Sequence, residues 1–305
     1  MLKFKDKFIE RYSKLTDLEL FEEFSCMSVR KSFRVNTLKA KVQDIKERLE
    51  KIFELEPIPW CKEGFLIKDT KKIAVGNLKE YMLGYIYIQE ASSMIPPLVL
   101  NPKPGDFVLD IAASPGSKTT QMAAMMKNKG LIIANDIKID RMKSLSANIQ
   151  RSGITNVVMT MKEGRFFKGL QFDKILLDAP CSGIGTLRKS PYTVQTWNPN
   201  SVKRIAGTQK QLIRTAFNNL KPGGTIVYST CTLEPEENEG VIDYLLKNFN
   251  DAKLQKINLN IKTSNPVLEF EGKEYDKSIK KCLRIWPQDN NTDGFFVAKI
   301  KKDKI

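Results

Sequence analysis

The sequence predicts an α/β fold, in which a mostly parallel sheet covered by helices ends in an antiparallel hairpin and follows a small α/β module. Short β-branched runs alternate with helical stretches from residue 107 onward. A long amphipathic segment then precedes a further apolar strand, and two later apolar runs flank a polar segment. This alternation favours parallel pairing with helices on both faces, because a parallel crossover needs a helix-length connection.

The first part of the chain predicts the small α/β module. Apolar residues recur at helical spacing over residues 42–52, between strand candidates over residues 32–36 and 64–67. We place the boundary near residue 84, which gives an N-terminal module over residues 1–84 and a larger domain over residues 85–305.

The larger domain carries the regular alternation of strands and helices. Its first strand candidates span 107–111, 131–135, 156–160 and 174–178, and its first helix candidates span 118–127 and 139–151. A long helix is predicted over 201–220, where Lys221-Pro222-Gly223-Gly224 stops it, and a buried strand over 225–229 follows. Residues 283–286 and 295–300 predict the antiparallel hairpin at one edge of the sheet.

The charge of the chain favours a polyanionic partner such as nucleic acid. The formal net charge is +15, and nine basic residues stand against two acidic ones between residues 165 and 214. The basic residues are Arg165, Lys168, Lys174, Arg188, Lys189, Lys203, Arg204, Lys210 and Arg214. We expect this segment to form the phosphate-contacting face.

The content of cysteine and histidine narrows the chemistry. The chain has no histidine, which excludes Ser-His and Cys-His catalysis and most transition-metal sites. Its five cysteines are widely spaced without a Cys-x-x-Cys pair, so we expect free thiols and no metal. No apolar run reaches the length of a membrane span or a signal peptide, so we expect a cytoplasmic monomer without a membrane partner.

Acidic residues and cysteines follow four predicted strands. Asp110 ends the first strand before a loop of small residues that opens a helix, and Asp136 ends the second. In a parallel sheet this arrangement suits an adenosine-containing cofactor, whose ribose hydroxyls a carboxylate can bind. Cys181 and Cys231 follow two later strands, so we expect their thiols to face the same crevice. A thiol needs a nearby positive charge or helix amino terminus to become an effective nucleophile at neutral pH.

Four motifs in this order resemble a known family. They are Asp110-Ile111-Ala112-Ala113-Ser114-Pro115-Gly116-Ser117-Lys118-Thr119, Asp178-Ala179-Pro180-Cys181-Ser182-Gly183, Ser229-Thr230-Cys231-Thr232 and Asp293-Gly294-Phe295-Phe296. Together they resemble the Nop/Sun (Fmu) family of RNA cytosine-C5 methyltransferases over about residues 30–300. The resemblance implies a Rossmann-like class I methyltransferase sheet behind an RNA-recognition-like N-terminal module. It also implies S-adenosyl-L-methionine as cofactor and tRNA or rRNA as substrate.

The resemblance further implies roles for individual residues. The methionine part of the cofactor would be held by Ala112, Ala113, Ser114, Pro115, Gly116, Ser117 and Lys118. Asp136 would hold the ribose, and Glu163 stands beside the adenine where the family usually has aspartate. Cys231 would attack carbon 6 of cytosine, Cys181 would assist product release, and Asp178 would bind the edge of the base. We expect the RNA backbone to contact Arg34, Arg188, Lys189, Lys203 and Arg204.

Two alternatives stay open at the level of sequence. A DNA cytosine-C5 methyltransferase would use Cys181 as nucleophile, although the motif around Cys231 argues against it. A non-catalytic RNA-binding or ribosome-assembly factor would keep the fold as a scaffold, although the intact motifs make this the weaker interpretation.

Overall fold

Residues 4–68 and 74–304 are described by the computed structural model, and they form two large sheets and one short hairpin. The first eight elements are α1 (Asp6–Tyr12), α2 (Leu18–Cys26), β1 (Ser32–Val35), α3 (Val42–Leu49), β2 (Leu55–Ile58), β3 (Cys61–Ile67), α4 (Lys79–Met82) and β4 (Ile86–Ile88). The N-terminal sheet has the antiparallel order β2-β3-β1-β4. The predicted α/β module is therefore present. The boundary near residue 84 stays a prediction, although β4 beyond it pairs in the N-terminal sheet.

The remaining elements build the larger sheet and its helices. They are α5 (Ile95–Leu100), β5 (Phe107–Asp110), α6 (Ser117–Met125), β6 (Leu131–Asp136), α7 (Ile139–Ser152), β7 (Val157–Met161), β8 (Phe172–Asp178), α8 (Tyr192–Thr196), α9 (Pro199–Asn218), β9 (Leu220–Thr230), α10 (Glu239–Asn248), β10 (Ala252–Gln255), β11 (Glu269–Phe270), β12 (Lys273–Glu274), β13 (Leu283–Ile285), α11 (Pro287–Asn290) and β14 (Phe295–Lys302). Among the described helices, none is long and apolar enough to cross a bilayer.

The larger sheet has the order β10-β14-β9-β8-β5-β6-β7, with β13 also paired to β14. The strands from β9 to β7 are parallel, and β14 is antiparallel to β9, β10 and β13. The chain runs outward from β5 in both directions, so a topological switch point lies between β5 and β8. Ligands of open α/β sheets bind at such a point, outside the carboxyl ends of the strands.

Helices cover both faces of this sheet, as the alternation predicts. Apolar residues of α5, α6 and α7 pack on one face, and those of α9 and α10 pack on the other. Helix α9 begins two residues before the predicted start, because the Asn198 side chain accepts a hydrogen bond from Ser201 N and Pro199 occupies the first turn.

The start of β9 and the edge of the sheet differ from the prediction by more than two residues or by a whole strand. Strand β9 begins at Leu220, not at residue 225, because Leu220 already pairs with Phe172 of β8 before an irregularity in the register. The predicted hairpin forms through β13 and β14, but β10 extends the outer edge of β14 beyond it. Strand β14 is consequently an inner strand of the sheet.

The first two helices pack far from the N-terminal sheet. Phe8, Tyr12 and Phe21 of α1 and α2 are fully buried in a cluster with Trp197 and Trp286 of the larger domain. The ring centroids of Phe8 and Tyr12 lie 4.0 Å apart. The chain therefore closes its N-terminal segment onto the C-terminal half of the fold.

Candidate active site

The two predicted cysteines meet beyond the carboxyl ends of β8 and β9. Their Sγ atoms are 3.3 Å apart, a distance that permits an S–H···S hydrogen bond. This hydrogen bond, followed by burial and by the charges of Cys231, Glu237 and Asp178, raises the pKa of Cys181 well above its ordinary value. Cys181 therefore retains its proton, and either of the two sulfur atoms can be the donor in this contact.

A buried ion pair lies beside the two thiols. Lys118 Nζ is 2.6 Å from Asp178 Oδ2, and Ser229 Oγ donates to Asp178 Oδ1 at 2.7 Å. Burial lowers the pKa of Lys118, but the charges of Asp178, Cys231 and Asp110 outweigh burial and leave the pKa raised. The ammonium group supplies the positive charge that stabilises a thiolate.

These groups open into a cavity of about 290 Å³ that both parts of the chain enclose. The larger domain contributes Pro115, Ser117, Lys118, Asp178, Thr186, Lys189, Cys231, Asp293 and Phe295, and the N-terminal region contributes Tyr87, Ile88, Gln89, Glu90 and Ser93. The lining includes Cys231 and not Cys181, so the cavity gives access to the thiol that the sequence motif predicts as the nucleophile.

A second cavity of about 110 Å³ lies at the ends of β5 and β6. It is bordered by Ala112, Asp136, Ile137, Glu163 and Pro180, among others. The carboxylate of Asp136 accepts hydrogen bonds from Ser114 N at 3.1 Å and Ile137 N at 2.8 Å. It therefore joins the loop after β5 to the loop after β6 and borders the space that a ribose would fill.

Comparison with known proteins identifies the family. The family model "16S rRNA methyltransferase RsmB/F" matches residues 97–301, and "N-terminal domain of 16S rRNA methyltransferase RsmF" matches residues 4–91. The chain is 52% identical over 305 residues to the tRNA (cytosine(49)-C(5))-methyltransferase of Pyrococcus abyssi, covering 99% of this chain and 97% of that protein. The chain belongs to the Nop/Sun family of RNA cytosine-C5 methyltransferases.

Further relatives share the fold and differ in length. Ribosomal RNA small subunit methyltransferase F of Vibrio parahaemolyticus is 46% identical, but the chain spans only 63% of its length. A methyltransferase homolog from Pyrococcus horikoshii superposes with a TM-score of 0.88 at 39% identity, covering 99% of this chain and 96% of that one. NSun6 from Pyrococcus horikoshii, solved with the S-adenosylmethionine analogue SFG, gives 0.82 at 25% identity over 94% of each chain.

The smaller cavity suits the S-adenosylmethionine of a Nop/Sun enzyme. Gly116 has φ 103°, a left-handed conformation that lets the loop turn into α6 and leaves the helix amino terminus at the strand ends. A Cβ at Gly164 would lie 2.6 Å from Ile111 Cγ2, so a larger residue at position 164 would clash with Ile111, which borders the same cavity. Of the residues predicted to bind the cofactor, Ala112 and Asp136 border this cavity, whereas Pro115, Ser117 and Lys118 border the larger one, so cofactor binding by the whole loop 112–118 stays a prediction.

Glu163 makes a contact that the sequence did not predict. Its carboxylate forms an ion pair with Arg165, whose guanidinium also donates to Gln211 at 2.8 Å. The side chain still borders the smaller cavity, so the contact with adenine stays a prediction.

Arg34 is a correction to the predicted RNA-binding set of this Nop/Sun protein. Its side chain is 3% exposed and donates to Gln89 at 2.9 Å and Thr120 at 3.2 Å. Burial lowers the pKa of Arg34 to about 10. Gln89 in turn donates to Gln121 of α6 at 2.9 Å, so this buried network docks the N-terminal sheet on the larger domain and directs Arg34 into the protein interior.

The other predicted basic residues fall into two groups. Arg188 donates to Phe24 O at 2.6 Å and Asn291 Oδ1 at 2.5 Å, and so fixes α2 to the turn before β14 instead of facing phosphate. Lys189 borders the larger cavity, where it pairs with Asp293. Lys203 and Arg204 are exposed on α9 and free for a phosphate backbone.

Sequence reasoning missed two contributions to the site. Tyr87 and Ile88 of β4 line the larger cavity although no chemical motif marks them. Glu237 is fully buried behind the cysteine loop and accepts hydrogen bonds from Ser182 N at 3.0 Å and Gln209 at 2.9 Å. Its sequence neighbourhood, which is rich in glutamate, gives no signal of this burial.

Proposed function

We propose that this chain methylates carbon 5 of a tRNA cytosine through a covalent adduct with Cys231. The target would be cytosine 49 of the tRNA, the position in the name of the Pyrococcus abyssi methyltransferase. The observation that carries the mechanism is the 3.3 Å contact between two thiols beside a lysine–aspartate pair. The choice of tRNA rests on the match over nearly the full length of both proteins, whereas the rRNA relative is considerably longer.

The reaction begins with the thiolate of Cys231. It forms a bond to carbon 6 of the cytosine, and the electron pair of the C5–C6 double bond becomes available at carbon 5. S-adenosylmethionine, when bound, supplies an electrophilic methyl group to this carbon. The Asp178 carboxylate would accept a hydrogen bond from the N4 amine of the base and, once N3 has taken up a proton from water, from N3–H, and that proton returns to water when the thiolate leaves. Lys118 fixes the orientation of this carboxyl.

Product release requires loss of the C5 proton and of the bond to Cys231. Once Cys231 is bonded to the base it no longer carries the charge that raises the pKa of Cys181. Cys181 can then yield its own proton to water and accept the one from carbon 5. The C5–C6 double bond re-forms as the sulfur of Cys231 leaves, and the thiolate is regenerated.

The RNA must present its cytosine out of the stack to reach this cavity. We place the backbone along Lys203 and Arg204, which are exposed on α9, and Lys189 at the cavity. Aromatic and apolar side chains from β4 would contact the extruded base.

The test is methyl transfer from tritiated S-adenosylmethionine to a tRNA transcript. We expect Cys231→Ala to reduce incorporation to background, and Cys181→Ala to accumulate an RNA adduct that survives denaturing electrophoresis. Cys26→Ala is the matched control, since this thiol is exposed and lies outside both cavities of the site. Undiminished activity of Cys231→Ala would refute the nucleophile.

Substrate arms of the same assay separate the alternatives. A tRNA in which cytosine 49 is replaced by uridine should take no label. Preferential labelling of 16S rRNA would move the proposal to rRNA, labelling of DNA would favour a DNA methyltransferase, and absence of cofactor binding in calorimetry would favour a scaffold.

A further inference from the structure

The Asp293-Gly294-Phe295 motif reaches the catalytic cavity, yet the chemistry above leaves Asp293 without a role. Asp293 is 3% exposed and lines the cavity. Its Oδ2 pairs with Lys189 Nζ at 2.5 Å, and its backbone N–H donates to Glu90 Oε1 at 3.2 Å. Its second oxygen, Oδ1, is buried and has no hydrogen-bond partner. Native proteins rarely leave such an acceptor empty, so the site lacks a donor that a ligand would bring.

The backbone fixes Asp293 close to the nucleophile. Gly294 N donates to Gly185 O at 2.8 Å, and Gly185 N donates to Cys231 O at 2.9 Å. One glycine thus separates the two segments, and a Cβ on Gly185 would lie 2.2 Å from Gly294 O. The position of the Asp293 carboxyl relative to Cys231 is therefore set by backbone hydrogen bonds.

The chemistry of a cytidine within RNA limits which donor can fill this place. Its hydrogen-bond donors are the N4 amine and the ribose 2′-hydroxyl, because the other ribose oxygens are esterified. Cys231 attacks carbon 6, and the adjacent ring atom N1 carries the ribose. The N4 amine lies across the ring, on the edge that Asp178 faces in the proposed mechanism. The Asp293 carboxyl lines the same cavity as Cys231 and is linked to its backbone through one glycine, which favours the 2′-hydroxyl, the donor on the side of the ring that Cys231 attacks.

We propose that Asp293 accepts a hydrogen bond from the 2′-hydroxyl of the target nucleotide, and that Lys189 holds this carboxyl and faces the adjoining phosphate. The inference rests on the proposed RNA methyltransferase function and deepens it, because one carboxyl of the cavity would then distinguish ribose from deoxyribose. Burial, followed by the charge of Glu90, raises the pKa of Asp293 to about 6. The carboxyl is still mostly ionised at neutral pH and can only accept. The Lys189 side chain is 43% exposed, consistent with a position toward the mouth of the cavity.

The test replaces the 2′-hydroxyl group of one nucleotide of the substrate with fluorine. Two tRNA transcripts are assembled by ligation with either cytidine or 2′-fluorocytidine at position 49; fluorine keeps the ribose-like pucker and cannot donate. We expect the wild-type kcat/KM to fall roughly 10- to 100-fold with the fluoro substrate, the size of a lost hydrogen bond to a charged group. Equal values for the two substrates overturn the inference, and this arm requires no variant to fold.

Variants then attribute the effect to a residue. We expect Asp293→Ala to lower kcat/KM on the ribose substrate and to bring the ratio between the two substrates close to one. Lys189→Gln is the control: it removes the ion pair and keeps the carboxyl, so both rates should fall while the ratio persists. A ratio unchanged in Asp293→Ala overturns the inference. Absence of methylation of the all-ribose tRNA overturns the proposed function itself.

Discussion

Buried ionisable side chains are energetically costly, and several of them in this protein have a partner that explains their position. Lys118 lies against Asp178, Arg284 lies against Glu239 with both side chains at most 1% exposed, and Glu234 receives Arg11, Tyr12 and Trp197. A buried charge is tolerated only where it is paired or neutralised. Glu237 differs, because its Oε1 atom has no partner and no cation lies within hydrogen-bond distance of its carboxylate.

Glu237 makes the stability of the protein depend on pH. Burial raises its pKa from 4.5 to about 7, against the hydrogen bonds from Ser182 and Gln209. The folded state then binds more protons than the unfolded state between pH 4.5 and about 7, so stability falls as the pH rises through this window. We therefore expect the difference in the free energy of unfolding, Glu237→Gln minus wild type, to increase by up to about 3 kcal/mol as the pH rises from 4.5 to about 7.

Urea unfolding of the two proteins at pH 5, 6, 7 and 8 measures this difference. Other titrating carboxyls contribute to both proteins and cancel in the comparison. A difference that stays constant from pH 5 to pH 8 would contradict the buried, protonated state of Glu237.

Among the elements, the segment after β8 approaches the segments at Cys231 and Gly294 so closely at Gly185 that a side chain there would clash with their backbone. A Cβ at Gly185 would lie 2.2 Å from Gly294 O and 2.7 Å from Cys231 O, so Gly185→Ala must push the two segments apart. A shift of about 1 Å in a catalytic group costs about 100-fold in rate, and we expect a loss of this size in kcat/KM. The methyl-transfer assay and urea unfolding measure the two effects separately.

Gly207→Ala is the matched control for that substitution. Gly207 lies within α9, and a Cβ there would meet nothing within 4 Å. We expect it to keep full activity and to gain about 0.5–1 kcal/mol of stability, because alanine loses less conformational entropy in a helix than glycine. Similar activity losses in both variants would contradict the close approach at Gly185.

The sequence predicted the elements in which apolar residues recur at a regular spacing or in which a helix-ending residue marks the boundary. Helix α9 was predicted within two residues because seven of its side chains are buried at helical spacing. Strand β10 was not predicted, since only Ala252 and Leu254 of its four residues are buried and a single apolar alternation is a weak signal. The start of β9 was missed because Pro222 and Gly223 are typical of turns, and only the pairing with β8 makes this segment extended.

At the scale of the whole molecule, Arg11 connects the N-terminal helix to the segment that follows the nucleophile. Its guanidinium is 5% exposed and pairs with Glu234 at 2.8 Å, while Glu234 is completely buried. We expect Arg11→Ala to cost roughly 3–5 kcal/mol, because it leaves an uncompensated buried carboxylate. Lys14→Ala, which breaks an exposed pair with Glu10 next to the same helix, should cost less than about 1 kcal/mol. Equal costs in urea unfolding would contradict the docking role.

The site was predictable to the extent that single strands carry it. The cysteines and Asp178 follow strands whose ends must meet in a parallel sheet, so their proximity follows from local sequence. The fate of Arg34 depended on how two sheets dock, which no local pattern encodes, and its burial turned an expected RNA contact into an internal one. The same docking brings Tyr87 and Ile88 to the cavity.

Strand β14 occupies an inner position of the sheet, yet the ribosome makes it after every other strand described here. Until residue 302 leaves the exit tunnel, β9 presents an unpaired edge to solvent and Phe295 and Asp293 are missing from the cavity. Chains still being translated thus carry an unpaired strand edge that favours aggregation. The cavity is complete only when this region has been synthesised.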